Sequence, residues 1–167
     1  MRRSDGVTLI ELMIAISIIG IMMAIATPSI VQMRQSAQFR QAAADIASAL
    51  REAKARTATA NLEHRVVFLA PNQYTITQGN RSSNSTAWIT IPGWVPTNTP
   101  QGVTVVPDAG CNAGPPVNVD FNTNGTAGVP GVLPTGLCTI SIQNAAAVNQ
   151  YLITVTPNTG RVRITRV

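Results

Sequence analysis

The chain has 167 residues, 45 % hydrophobic and 11 % charged, with a formal net charge of +5. That length fits one globular domain plus one extra element. One histidine and two cysteines are too few to build a four-ligand zinc site. Much of the apolar excess lies in the first 31 residues. The roughly 135 that follow are enough to bury a real core. Eleven of the twelve cationic side chains are Arg, against seven Asp and Glu. Such a balance favours acidic partners only where the charges cluster.

The N-terminus reads Met1-Arg-Arg-Ser-Asp-Gly6, then a run from Val7 to Val31 whose single charge is Glu11. As a helix that run spans about 37 Å, enough to cross a hydrocarbon core with some tilt. Arg2 and Arg3 precede it and Arg34 follows it, so the N-terminus stays cytoplasmic and the rest is sent outward. A secretory signal peptide would end in a polar cleavage region, and none closes this run. A plain anchor leaves Glu11 unexplained, because a carboxylate in a membrane helix is costly without a partner.

Gly6 before Val7-Thr8-Leu9-Ile10-Glu11, the short basic leader and the long apolar helix resemble a type IV prepilin signal. Val7 stands where that family usually has Phe. The resemblance implies cleavage between Gly6 and Val7 by a prepilin peptidase and methylation of the new N-terminus. It also implies pairing of Glu11 with the N-terminal amine of an adjacent subunit. The protein would sit in the bacterial inner membrane as a single-pass chain, head in the periplasm. It would then join other pilins through this helix in a pilus at the cell surface, at its tip. Without residues 1–6 the chain loses Arg2, Arg3 and Asp5, and the side chains carry +4.

Past Pro28, where a kink is expected, Ile30, Met33, Ala37, Ala44, Ala47 and Leu50 recur at near-helical steps. Ala-rich sequence carries the helix to about Ala60. This stripe predicts the face that packs on the domain. Glu52 lies one turn before Arg56, an ordinary i,i+4 pair. Short alternating or β-branched runs follow: Arg65–Leu69, Tyr74–Gln78, Ala87–Ile91, Val103–Val106, Val117–Phe121, Thr139–Gln143, Tyr151–Thr156 and Arg161–Thr165. Gly, Pro, Asn and Ser separate them, with long surface loops at 79–86 and 122–136. The expected fold is α+β and type IV pilin-like, a long N-terminal helix packed on an antiparallel sheet. Its parts are a leader at 1–6, a transmembrane and filament-core half-helix at 7–31, a packing half-helix at 32–61 and a β-rich head at 62–167.

No enzyme is expected. His64 reads as a surface residue between helix and strand, and Asp45, Glu52, Glu63, Asp108 and Asp120 show no motif spacing. No phosphate-binding loop occurs, and neither cofactor nor metal is implied. In an exported domain Cys111 and Cys138 suggest a disulfide closing about 28 residues, worth about 3–4 kcal/mol. In a reducing compartment they would be two free thiols.

The chain closes on Gly160-Arg161-Val162-Arg163-Ile164-Thr165-Arg166-Val167. In a strand, Arg161 and Arg163 project together while Val162 and Ile164 turn to the core. Arg166 falls on the other face if the strand stays regular. One reading is a solvated edge whose arginines discourage edge pairing. The other is a patch that binds phosphate through guanidinium contacts, without sequence preference.

The Ala-rich helix end, Val119-Asp-Phe121 with Gly125, and Thr159-Gly-Arg-Val-Arg-Ile164 resemble the GspH/FimT group of minor pilins and pseudopilins. In the FimT-type members a C-terminal Gly-Arg-x-Arg is associated with binding DNA during natural transformation. The resemblance places that feature on Gly160, Arg161 and Arg163, with Arg166 extending the basic tail. It implies non-specific contacts to double-stranded DNA. Two other roles remain open within the group: a FimU-like minor pilin that primes pilus assembly, and a GspH-like pseudopilin of a type II secretion system.

Overall fold

The computed structural model describes residues 7–69, 72–108, 110–111, 116–128 and 137–167. The expected leader at 1–6, with the expected cleavage residue Gly6, lies outside them, as does most of the 122–136 loop. The chain divides into two compact units, Met1–Ala37 and Gln38–Val167.

One helix, α1, is assigned over Leu9–Ala60. Its start has a local cause in Thr8, whose hydroxyl accepts the Glu11 amide at 3.3 Å. Thr8 and Glu11 therefore have the spacing of a capping box, with an acidic side chain in the first turn facing the positive end of the helix dipole. The helical backbone continues through Pro28. In the first unit the large apolar side chains from Leu9 to Met33 are exposed. By length and composition the helix can cross a membrane, with a mean hydropathy of 2.5 over its most apolar window. It ends where Asn61 takes φ 52°, a left-handed capping position that Asn tolerates.

In the second unit the helix buries Ala42, Ala43, Ile46, Ala47, Ala49, Leu50 and Ala53. This corrects the stripe read from the sequence: Ala37 and Ala44 face solvent. Alanine recurs on every face of this segment, so periodicity alone could not phase it; Ile46 and Leu50 do.

Among the described residues nine strands follow: β1 (His64–Leu69), β2 (Gln73–Gly79), β3 (Trp88–Thr90), β4 (Thr97–Asn98), β5 (Thr104–Pro107), β6 (Asn118–Phe121), β7 (Cys138–Gln143), β8 (Asn149–Thr156) and β9 (Arg161–Arg166). Eight coincide with predicted runs, and β4 is additional. They form two antiparallel sheets rather than one. The first runs β3-β2-β1-β6, with β4 also on β2; the second runs β5-β7-β8-β9. The helix face, Val66, Phe68 and Ile76 of the first sheet, and Ile140, Ile142, Ile153 and Val155 of the second share one hydrophobic core. The fold is α+β.

Cys111 and Cys138 are joined by a disulfide, Cα–Cα 4.4 Å. It ties the segment after β5 to the first residue of β7. Asp108 sits beside it, its Oδ1 accepting the amides of Gly110 and Thr139. Asp108, Cys111 and Cys138 lie close enough to suggest a metal site, but sulfurs bound to each other offer no thiolate.

His64 is not a surface residue. It opens β1 and is 2 % exposed, with Nδ1 3.0 Å from the Leu62 carbonyl. Burial lowers its pKa, the Arg56 charge acts in the same direction, and the Leu62 contact opposes both. Glu63 is buried too, and its carboxylate accepts the amides of Asn84 and Ser85. It thereby holds the polar 79–86 loop against the end of the helix. The Glu52–Arg56 pair forms at 2.8 Å.

Candidate functional site

Among the described residues β9 is an edge strand, paired with β8 alone. Ile164 lies opposite Ile153 and Val162 opposite Val155, and both β9 side chains pack against the core. Alternation then directs Arg161 and Arg163 to the other face, where both are exposed. Their spacing of two residues sets the Cα atoms about 6.6–6.8 Å apart.

The neighbours on that outer face are hydroxyls. Register places Arg163 opposite Thr154, and Thr154 opposite Thr139 of β7; Arg161 lies opposite Thr156. The outer face thus offers two guanidinium groups beside a row of neutral hydrogen-bonding side chains, the residue types that contact sugar and phosphate oxygens. Arg166, opposite Tyr151, belongs by alternation to the face of Val162 and Ile164 and is exposed. The strand therefore brings Arg161 and Arg163 together and sets Arg166 apart at its far end.

Gly160 has a conformational role. The β8–β9 connection closes with its amide donating to the Thr156 carbonyl at 2.8 Å, and its φ is +55°, a region unfavourable for residues with a Cβ. A Cβ there would lie 2.9 Å from the Gly125 carbonyl oxygen and 3.3 Å from Lys54 Cε. Gly160 thus lets the turn lie against Gly125 and α1, which sets where Arg161 begins.

Two residues not singled out in the sequence adjoin this strand. Lys54 Nζ donates to the Thr159 carbonyl at 2.6 Å. Arg51, one turn earlier, is exposed. With Arg161 they border an open groove of about 430 Å³, floored by Ala55, Ala58 and Val162. No carboxylate lines it among the described residues. The only cue in the sequence was the three- to four-residue spacing of Arg51, Lys54, Ala55 and Ala58, which share one helix face. Their meeting with β9 is tertiary.

At the other end, Val7 and Glu11 are described and Gly6 is not. Val7 lies just before the first turn of α1, and Glu11 lies within it.

The prokaryotic N-terminal methylation motif matches residues 1–27. No curated protein sequence matches the chain significantly. Among solved structures, the type IV minor pilin FimU of Pseudomonas aeruginosa is 14 % identical, with a TM-score of 0.53 over 75 % of this chain and 91 % of that one. The minor pseudopilin EpsH from the type 2 secretion system of Vibrio cholerae is 14 % identical, TM-score 0.55, over 77 % and 97 %. GspH of E. coli is 10 % identical, TM-score 0.58, over 79 % and 90 %. These identities speak for a shared fold alone. The chain thus carries the prokaryotic N-terminal methylation motif and, behind it, the fold that these minor pilins and pseudopilins share.

Proposed function

We propose that this protein is a FimT-like minor type IV pilin whose head binds extracellular double-stranded DNA for uptake in natural transformation. The observation that carries the reading is Arg161 and Arg163 side by side on the exposed face of an edge strand. Threonine hydroxyls lie across from them on β8. Guanidinium groups in such a row bind phosphates without reading bases. Arg166 extends the basic surface round the end of β9.

The N-terminal segment supplies delivery and assembly. Prepilin peptidase cuts after Gly6, the new N-terminus at Val7 is methylated, and the apolar helix holds the protein in the inner membrane until assembly. In the filament Glu11 meets the Val7 amine of a neighbouring subunit, which neutralises both charges among apolar side chains. The subunit is placed at the pilus tip, where DNA outside the cell is met first.

The test uses the full-length chain in zwitterionic detergent with a labelled duplex of random sequence. The wild type should bind with an affinity that falls steeply with salt. Arg161→Gln with Arg163→Gln should flatten the logarithmic salt slope by about 1.8, roughly 0.9 for each phosphate contact. Equal binding by wild type and double variant would remove the arginines from the site.

The fold shared with FimU, EpsH and GspH favours a second reading, a subunit that primes pilus or pseudopilus assembly and touches no DNA. Deletion would then abolish piliation or protein secretion, and the arginine double variant would restore either in full.

A further inference from the structure

We infer that Arg51 of α1 is a further phosphate-binding residue, seating the DNA backbone in the groove between α1 and β9, and that Lys54 positions the wall of that groove. This rests on the DNA reading above and extends the surface from one strand onto the helix.

Arg161 belongs to both parts of the surface. It lies on the outer face with Arg163 and also borders the groove. A backbone that leaves Arg163 and passes Arg161 therefore reaches the groove that Arg51 also lines. The floor suits such an occupant. Ala55 and Ala58 are exposed helix positions with minimal side chains, so the groove stays open where longer residues would fill it. The nearby carboxylate of Glu52 is engaged by Arg56, through Nε at 3.0 Å and Nη2 at 2.8 Å. Arg51 has no ion-pair partner among the described residues. Like charges around one groove repel, and an anion between them relieves that repulsion.

Lys54 acts differently. Its ammonium is held by the Thr159 carbonyl, immediately before Gly160, so it fixes the turn from which Arg161 projects. It is a positioning residue, and Arg51 supplies the contact.

The experiment compares full-length Arg51→Gln, Arg51→Lys and Arg34→Gln in the same detergent, titrating random duplex DNA between 50 and 200 mM salt. Arg34 is exposed and belongs to the other compact unit, so Arg34→Gln controls for loss of net charge. Arg51→Gln should lose about 0.9 from the salt slope, making the affinity drop across that range about three- to fourfold smaller. Arg51→Lys should keep the slope, and Arg34→Gln should match wild type. Ala58→Glu adds a carboxylate to the floor at an exposed position and should weaken binding, whereas Ala58→Gln should weaken it less. A wild-type slope for Arg51→Gln, or an equal loss for Arg34→Gln, overturns the inference while leaving the β9 site intact. Failure of the Arg161→Gln, Arg163→Gln variant to weaken binding overturns the DNA reading itself.

Discussion

Gly160→Ala tests the local geometry on which the site depends. Two costs separate at this position. A Cβ at φ +55° costs about 1–2 kcal/mol in a left-handed conformation. The same Cβ would lie 2.9 Å from the Gly125 carbonyl oxygen, so the neighbouring loop or the turn must give way. Overpacking of that kind adds about 1–3 kcal/mol, and a surface loop that can yield sets it near the low end. The sum is about 2–4 kcal/mol. For a unit the size of Gln38–Val167 each kcal/mol moves the midpoint by about 4 °C, so Tm should fall by about 8–16 °C. Gly125 offers an internal control. Its φ is +86°, yet nothing lies within 4 Å of its would-be Cβ, so Gly125→Ala should show the conformational cost alone. Thermal unfolding of both variants, followed by circular dichroism above the signal of the apolar helix, separates the two costs. If Gly160→Ala melts no lower than Gly125→Ala, the close approach to Gly125 is wrong. If it melts with wild type, the left-handed conformation is wrong as well. The turn's displacement should also weaken DNA binding without changing any charge.

Burial holds the His64 imidazole neutral in the folded state, with its pKa below the ordinary 6.5. Its contribution is therefore complete above about pH 6.5 and is lost as pH falls through the depressed folded value; urea midpoints from pH 7.5 to 5 should fall for wild type and stay flatter for His64→Gln. Since His64 is the chain's one histidine, equal slopes would refute its part in the pH dependence. Reducing Cys111–Cys138 should cost about 3–4 kcal/mol, read as a lower Tm with dithiothreitol and reproduced by Cys111→Ser with Cys138→Ser. Glu11→Val should insert and be cleaved but be missing from sheared filaments; normal incorporation would sink its pairing with the Val7 amine.

The fold was legible in the sequence wherever a pattern is local. Eight strands fell within a residue or two of their predicted bounds, because turn residues frame short β-branched runs. β4 escaped because two residues, Thr97–Asn98, in a proline-rich stretch carry no periodicity. The division into two sheets escaped for another reason. It depends on which strand lies beside which, and β6 joining β1 while β5 joins β7 is decided by packing in the shared core. His64 was misread because a lone histidine at a helix–strand junction has no burial signal of its own. Burial comes from β1 pairing on both sides, with β2 and β6.

On the proposed reading the arginines of β9 serve two requirements at once, and that is why the tail could not be interpreted from the tail alone. Charged residues on an unpaired edge keep other strands from adding to it, and the alternation of Arg161, Val162, Arg163 and Ile164 satisfies that need with no ligand. Edge protection explains neither a glycine forced into a left-handed turn against α1 nor a lysine holding the preceding carbonyl. It also leaves unexplained an open groove lined by Arg51 and Lys54 as well as Arg161. Those features lie more than a hundred residues apart in the chain and meet only because the helix face of Ile46 and Leu50 and the inner face of Val162 and Ile164 share one core. The core that folds the head thus also brings Arg51 of the helix to the same groove as Arg161 of the last strand, and it is on that convergence that the proposed polyanion site rests.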